Sequence, residues 1–247
     1  TQKEIHVMSR MILCHLDLQS PSSQQILVVL VNKMIQRIND GAAALCKKLT
    51  QNKFEKDYPQ MEQTLKNYNE ITQSFTLSLL DNLYPGANYP RRTTVLDILT
   101  SISTIIGFQR VQNRLDMTVF VTETFANTLL SCLDDSYEAN KEKALSLLLS
   151  LPPSVLHHDH PEHVRIRLET CITLMTSNKP PDTLTASYLA RLLIPAPALH
   201  WVLADKLALL QASQFSADYL LVVFLRNLLS EQLAVAEANL LDAAVKG

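Results

Sequence analysis

Glycine is nearly missing from this sequence. Four glycines stand among 247 residues, where an average usage of about 7% would place roughly 17. Tight turns and phosphate-cradling loops need glycine, because it tolerates positive φ and lets a ligand approach the backbone. Its scarcity argues against a dinucleotide-binding fold, a P-loop or a nucleophile elbow, and no GxGxxG, GxxxxGK[ST] or GxSxG pattern occurs. Aromatic residues are also few, at 6%. A dominant charge is lacking: 22 basic and 24 acidic residues leave a net −2. That removes the bulk electrostatic footprint of a nucleic-acid binder, so any RNA contact has to be local. Cys14, Cys46, Cys132 and Cys171 are far apart, with no CxxC pair. Buried, reduced thiols are the expectation, which suits a cytoplasmic protein. The longest strongly apolar run, 219–225, is followed by Arg226 and is too short to span a bilayer. The first residue is Thr1, inside helical sequence, and the chain reads as an internal fragment of a longer polypeptide.

What is present is leucine-rich helix. Apolar residues make up 47%, enough for a real core. In 164–175, Val164, Leu168, Cys171, Ile172 and Met175 recur at helical spacing, while Arg165, Arg167 and Glu169 fall off that stripe. This is one buried face and one wet face. The spacing predicts helices over 2–18, 22–39, 42–54, 58–83, 91–107, 117–133, 136–150, 161–177, 182–194, 198–211 and 216–244. Gly41 is read as a helix stop, and "YPGANYP" (84–90), "LPP" (151–153), "KPP" (179–181) and "IPAP" (194–197) as breaks. No strand alternation is sustained. Many helices with short breaks predict an all-α chain, an α-solenoid of degenerate HEAT/armadillo-like helical repeats. It is read as a single segment over 1–247 with a sub-boundary near 84–90. Asp135–Lys141–Ala144 and Asp159–Arg165–Leu168 both match HEAT spacing, yet they lie 24 residues apart. That is one helix rather than one repeat, so no clean repeat emerges.

Two stretches are candidate sites. "HHDHPEH" (157–163) holds four of the seven histidines. Three readings stand: zinc ligands, a contact for an anion through His158, His160 and His163, or an exposed loop running into a capped helix. "DYPQ" (57–60), "DSYE" (135–138) and "DHPE" (159–162) share Asp three residues before Glu or Gln. That is a capping-box variant, which assigns Asp159 and Glu162 to the backbone. A helix N-terminus also carries about +0.5 of partial charge, which disfavours a dication. The loop reading is preferred, with no metal assigned. No serine or cysteine is marked as a nucleophile, so no catalytic residue is named.

The second stretch is "YPGANYPRR" (84–92). Tyr84 and Tyr89 can anchor an interface or stack on a base, and Arg91 and Arg92 can fork onto phosphate. Two cations in a first turn oppose the helix dipole and call for a compensating acid or an anionic partner. These four residues are the candidates for partner or RNA binding, against a plain structural turn. His200 and Trp201 are read as core or groove, and "NKFEKD" (52–57) as a solvated helix end.

"LYPGANYPRRTTVLDILTSI" (83–102), followed by "LLSCLDDSYEANKEKALSLLLSLP" (129–152), resembles the thyroid adenoma-associated protein family. The phrases cover about 45 of the 247 residues, in the same order and with fitting spacing. The resemblance implies a helical-repeat scaffold without catalysis, the accessory subunit of an FtsJ-like methyltransferase. That pair methylates the ribose 2′-OH at the first position of the tRNA anticodon loop. S-adenosylmethionine is then expected only in the partner enzyme, with no cofactor here, and tRNA is met through the complex. The family's central block, rich in basic and aromatic residues, is not evident, so the fragment would lie on its N-terminal side. The family carries no catalytic residue over to these positions. A general protein-interaction adaptor is the alternative, and a metal-dependent enzyme using 157–163 the third.

Overall fold

The computed structural model describes residues 2–51, 57–84, 86–108, 115, 121–177, 179–199 and 201–203. Among them the chain is helical and contains no strand: α1 (Gln2–Cys14), α2 (Pro21–Gln51), α3 (Tyr58–Leu80), α4 (Tyr89–Ile105), α5 (Glu123–Ser131), α6 (Glu138–Ser150), α7 (Pro161–Met175) and α8 (Pro180–Leu193). A single 3-10 turn, Cys132–Asp134, links α5 to α6. The expected helix over 216–244, residues 204–211 of the one before it, 117–120, His200 and 52–56 lie outside the described residues.

The chain divides into two compact units, 1–155 and 156–247. In the first, α4 packs on α2 and on α6, while α1 packs on α3; α3 also meets α2 and α4, and α5 meets α6. Alternate helices therefore stack on each other in two layers, which is the construction of an α-solenoid. Helix α4 is its centre: Val95, Leu96, Ile98, Leu99 and Ile102 are all fully buried. Neighbours on several sides need apolar residues around most of its girth, unlike an amphipathic surface helix. Each such side chain contributes about 1.5–3 kcal/mol on leaving water. The 84–90 turn lies inside this unit. Gly107, with φ +85°, ends α4 by turning its N–H back to the Ile102 carbonyl at 3.3 Å.

Gly41 corrects an expectation. The runs 22–39 and 42–54 are one continuous helix, α2, and Gly41 lies within it. A Cβ at that position would meet Tyr68 Cε2 of α3 at 3.2 Å. The glycine marks close helix–helix approach, not a stop, and a single glycine costs a helix only about 1 kcal/mol.

In the second unit α7 packs on α8. Val164, Leu168, Cys171 and Met175 are buried on α7, as its period predicts, while Ile172, expected on the same stripe, is half-buried. Ala186, Leu189, Ala190 and Leu193 are buried on α8, and the Cys171 thiol donates to the Ala186 carbonyl at 3.3 Å. All four cysteines are free thiols, but only Cys132 and Cys171 are buried; Cys14 is exposed, against expectation. Burial, with Asp135 nearby, pushes the Cys132 thiol up to about 11, so it is an inert core residue. Trp201, expected in the core or a groove, is 63% exposed. No described helix is long and apolar enough to cross a membrane.

Candidate functional site

The turn before α4 is built on an N-cap. Asn88 adopts extended backbone, and its side-chain oxygen accepts from the Arg91 N–H at 2.9 Å. Pro90, in the first turn, has no N–H to satisfy. The Asn88 amide also donates to Asp17 Oδ1 at 2.9 Å. Asp17 takes the Arg91 guanidinium in a fork, with Nε to Oδ1 at 2.7 Å and the second nitrogen on Oδ2. Arg91 reaches Asn82 Oδ1 at 3.2 Å as well. The bonded guanidinium holds the Asp17 carboxyl below the usual carboxylate range, and Asp17 in turn raises Arg91.

Arg92 points elsewhere. Its Nε donates to Asp135 Oδ2 at 2.7 Å and its second terminal nitrogen to Oδ1 at 3.0 Å, while the remaining nitrogen caps the Ala87 carbonyl. Asp135 also accepts from the Tyr137 N–H at 2.9 Å and from Asn140 Nδ2 at 3.1 Å. Asn140 Oδ1 takes the Thr93 hydroxyl at 2.9 Å. Side-chain exposure is 15% for Arg92 and 2% for Asp135. This is a buried, fully bonded charge pair joining the starts of α4 and α6. Asp135, expected to cap α6, lies two residues before the actual N-cap, Tyr137, and serves as the clamp.

The two arginines are therefore answered by acids within the fold. The tyrosines are not buried with them. Tyr84 is 47% exposed and Tyr89 38% exposed. Tyr89 pairs with Tyr137 at a centroid distance of 4.0 Å, and Tyr137 is itself 47% exposed. Sequence reading missed Tyr137, although the "SY" after the acid pair set it at the start of α6, where the clamp brings it to Tyr89.

The histidine stretch arranges itself differently. The N-cap of α7 is His160, not Asp159, and no side chain caps this helix. Pro161 occupies the first helical position and forces the residue before it into extended backbone, so the boundary falls at His160. Asp57 likewise makes no side-chain cap at α3, which removes the shared capping box. Glu162 meets Arg165 at 3.6 Å. His157, with φ +50°, stacks on His163 at 4.5 Å, and His160 stands edge-on to both, at 5.5 and 6.1 Å. His158, grouped in the sequence reading with His160 and His163, is instead buried: it is 4% exposed and its carbonyl accepts from Ala198 N–H at 3.2 Å. Burial first, then Arg167, pushes its pKa down. Its Nε2 has no hydrogen-bond partner in the structure. Among the described residues, no three histidine, cysteine, aspartate or glutamate side chains are grouped to hold a metal ion.

Stacked helices cross-braced at their starts, with aromatic side chains left outside, define a helical-repeat protein. Residues 1–142, more than half the chain, match the family model described as Trm732, TPR repeats. The chain belongs to that family, and the resemblance read from its two phrases holds. It is 29% identical over 249 residues to the tRNA (32-2'-O)-methyltransferase regulator THADA of Canis lupus familiaris, covering 93% of this chain and 13% of that protein. The THADA proteins of Gallus gallus, 31% identical over 77% of this chain and 10% of their own length, and of Homo sapiens, 28% identical over 93% and 13%, are similar too. The chain thus spans about an eighth of the length of these relatives. No solved structure matches it.

Proposed function

We propose that this chain is a non-catalytic segment of an accessory subunit for 2′-O-ribose methylation of the tRNA anticodon loop. The observation that carries the reading is its similarity, over 93% of its length, to proteins named as regulators of a tRNA methyltransferase rather than as the enzyme. The stacked helices suit such a task, since a solenoid offers extended surface and little chemistry. The partner is an FtsJ-like methyltransferase that binds S-adenosylmethionine itself, and the site of action is the cytoplasm, where free thiols persist. The scaffold contributes proximity and orientation, holding enzyme and tRNA in register, rather than a reacting group.

The test is a cell lacking the full-length protein. Ribose methylation at the first position of the anticodon loop is expected to disappear while other methylations persist. Retained methylation at that position would sink the reading and leave a general interaction adaptor in its place.

A further inference from the structure

We infer that the exposed tyrosine pair of the first unit, Tyr89 and Tyr137, forms a docking patch for an arginine-rich segment of a partner protein. The arginines that open α4 are already engaged: Arg91 by Asp17 and Arg92 by Asp135, each through two nitrogens. Neither fork is left for a phosphate. The carboxylates that flank Tyr137 in the chain are in the opposite condition. Asp134 lies three residues before Tyr137 and Glu138 directly after it, and both are exposed. Neither of them pairs with a cation among the described residues. The patch therefore combines aromatic faces with unpaired carboxylates. A polyanionic RNA backbone is repelled by it.

A guanidinium suits the patch on both counts. Its plane stacks on a phenol ring and is drawn to the negative face, while its edge N–H groups donate to carboxylates. Lysine lacks the plane and the fork. The rings are also held in place. Tyr89 begins α4 and Tyr137 directly precedes α6, the two helix starts joined by the buried Arg92–Asp135 clamp. Little ordering remains to be done on binding, which favours affinity from a small surface. The patch does not depend on the methylation role proposed above, and its test involves no methylation.

The experiment titrates the full chain into a fluorescein-labelled peptide of alternating arginine and glycine, read by anisotropy. Its comparisons are the lysine counterpart of the peptide and an anticodon stem-loop RNA. The arginine peptide is expected to bind, and more tightly than the lysine peptide. The double variant Tyr89→Ala/Tyr137→Ala should weaken it about tenfold, and Tyr89→Phe/Tyr137→Phe, which keeps both ring faces, should stay within about twofold. Because the alanine pair can disturb the α4–α6 contact, Asp134→Asn/Glu138→Gln offers a surface change, with a loss of about threefold expected. Equal affinity across wild type and all of these variants overturns the proposal. So does an RNA whose binding, unlike that of the peptide, falls with the tyrosines.

Discussion

Two helices of this chain begin with the same device and end up differently braced. Helix α4 and helix α7 both carry proline in the first turn and extended backbone at the N-cap. At α4 the N-cap is Asn88, whose side chain bonds the Arg91 N–H and also reaches Asp17. Two arginines follow, against the dipole, and two aspartates from distant parts of the sequence neutralise them. At α7 the N-cap is His160, which bonds no first-turn N–H through its side chain. Its acid, Glu162, sits inside the first turn, where it favours the dipole directly. The first start is held by long-range charge pairs; the second is a local cluster of histidine rings. A helix terminus can thus be satisfied locally or by tertiary partners, and only the second kind couples the terminus to the stacking of the unit.

The largest expected effect lies in the buried clamp. Asp135→Ala leaves Arg92, mostly buried, without its acid, and also frees the Tyr137 N–H and the Asn140 amide. Breaking such a pair costs about 3–5 kcal/mol. Urea unfolding should show the first unit losing most of its stability, and a loss under about 1 kcal/mol would mean the clamp is ornamental.

The caps give the intermediate effect, with opposite signs at the two helices. Asn88→Ala removes a working cap and should cost about 1–2 kcal/mol. His160→Asp supplies a capping carboxylate where none acts and should raise stability by about 0.5–1 kcal/mol. Thermal melts of the two variants therefore move apart, and if both move down, His160 has a role beyond ending the loop.

Titration separates the units at the smallest scale. Asp17 has its pKa lowered by Arg91, so its stabilisation is present above the unfolded value and lost as pH falls below about 3.8. The group is largely solvated, which keeps the contribution under about 1 kcal/mol. His158 is buried neutral with its pKa lowered from 6.5, so the folded form takes up its proton less readily than the unfolded chain. Stability of the second unit is present above about pH 6.5 and declines as pH falls through the lowered value. Hydrogen exchange between pH 7.5 and 5 should show α7 and α8 loosening while α2 and α4 stay protected. His158→Phe should flatten that response. Equal loosening of both units would remove the distinction.

Much of the fold was legible because helical period is a local property. The stripe Val164, Leu168, Cys171, Ile172 and Met175 predicts the buried face of α7 without reference to any neighbour, and all but the half-buried Ile172 are buried. Proline punctuates helices by its own backbone chemistry. Gly41 misled because a glycine in sequence has two physical meanings, freedom of φ and absence of a side chain, and the approach of Tyr68 selects the second. The candidate site was half legible. The need for an acid beside Arg91 and Arg92 follows from the dipole, but Asp17 lies 74 residues from Arg91 and Asp135 lies 43 from Arg92. The histidine run was misgrouped for a similar reason: His158 is buried, while His157, at φ +50°, stacks with His160 and His163, and residue spacing alone does not show which ring goes where.

By itself, then, the sequence determined an all-helical chain, poor in glycine and without a nucleotide or nucleophile loop, whose phrases mark its family. Those features depend on residue type and short-range spacing, and nothing distant can change them. Tertiary structure alone decided that Arg91 and Arg92 brace the fold, that Tyr137 joins Tyr89 at the surface, and that α2 runs unbroken through Gly41. Each of these depends on which side chain stands opposite in space, and that is set by how the helices stack.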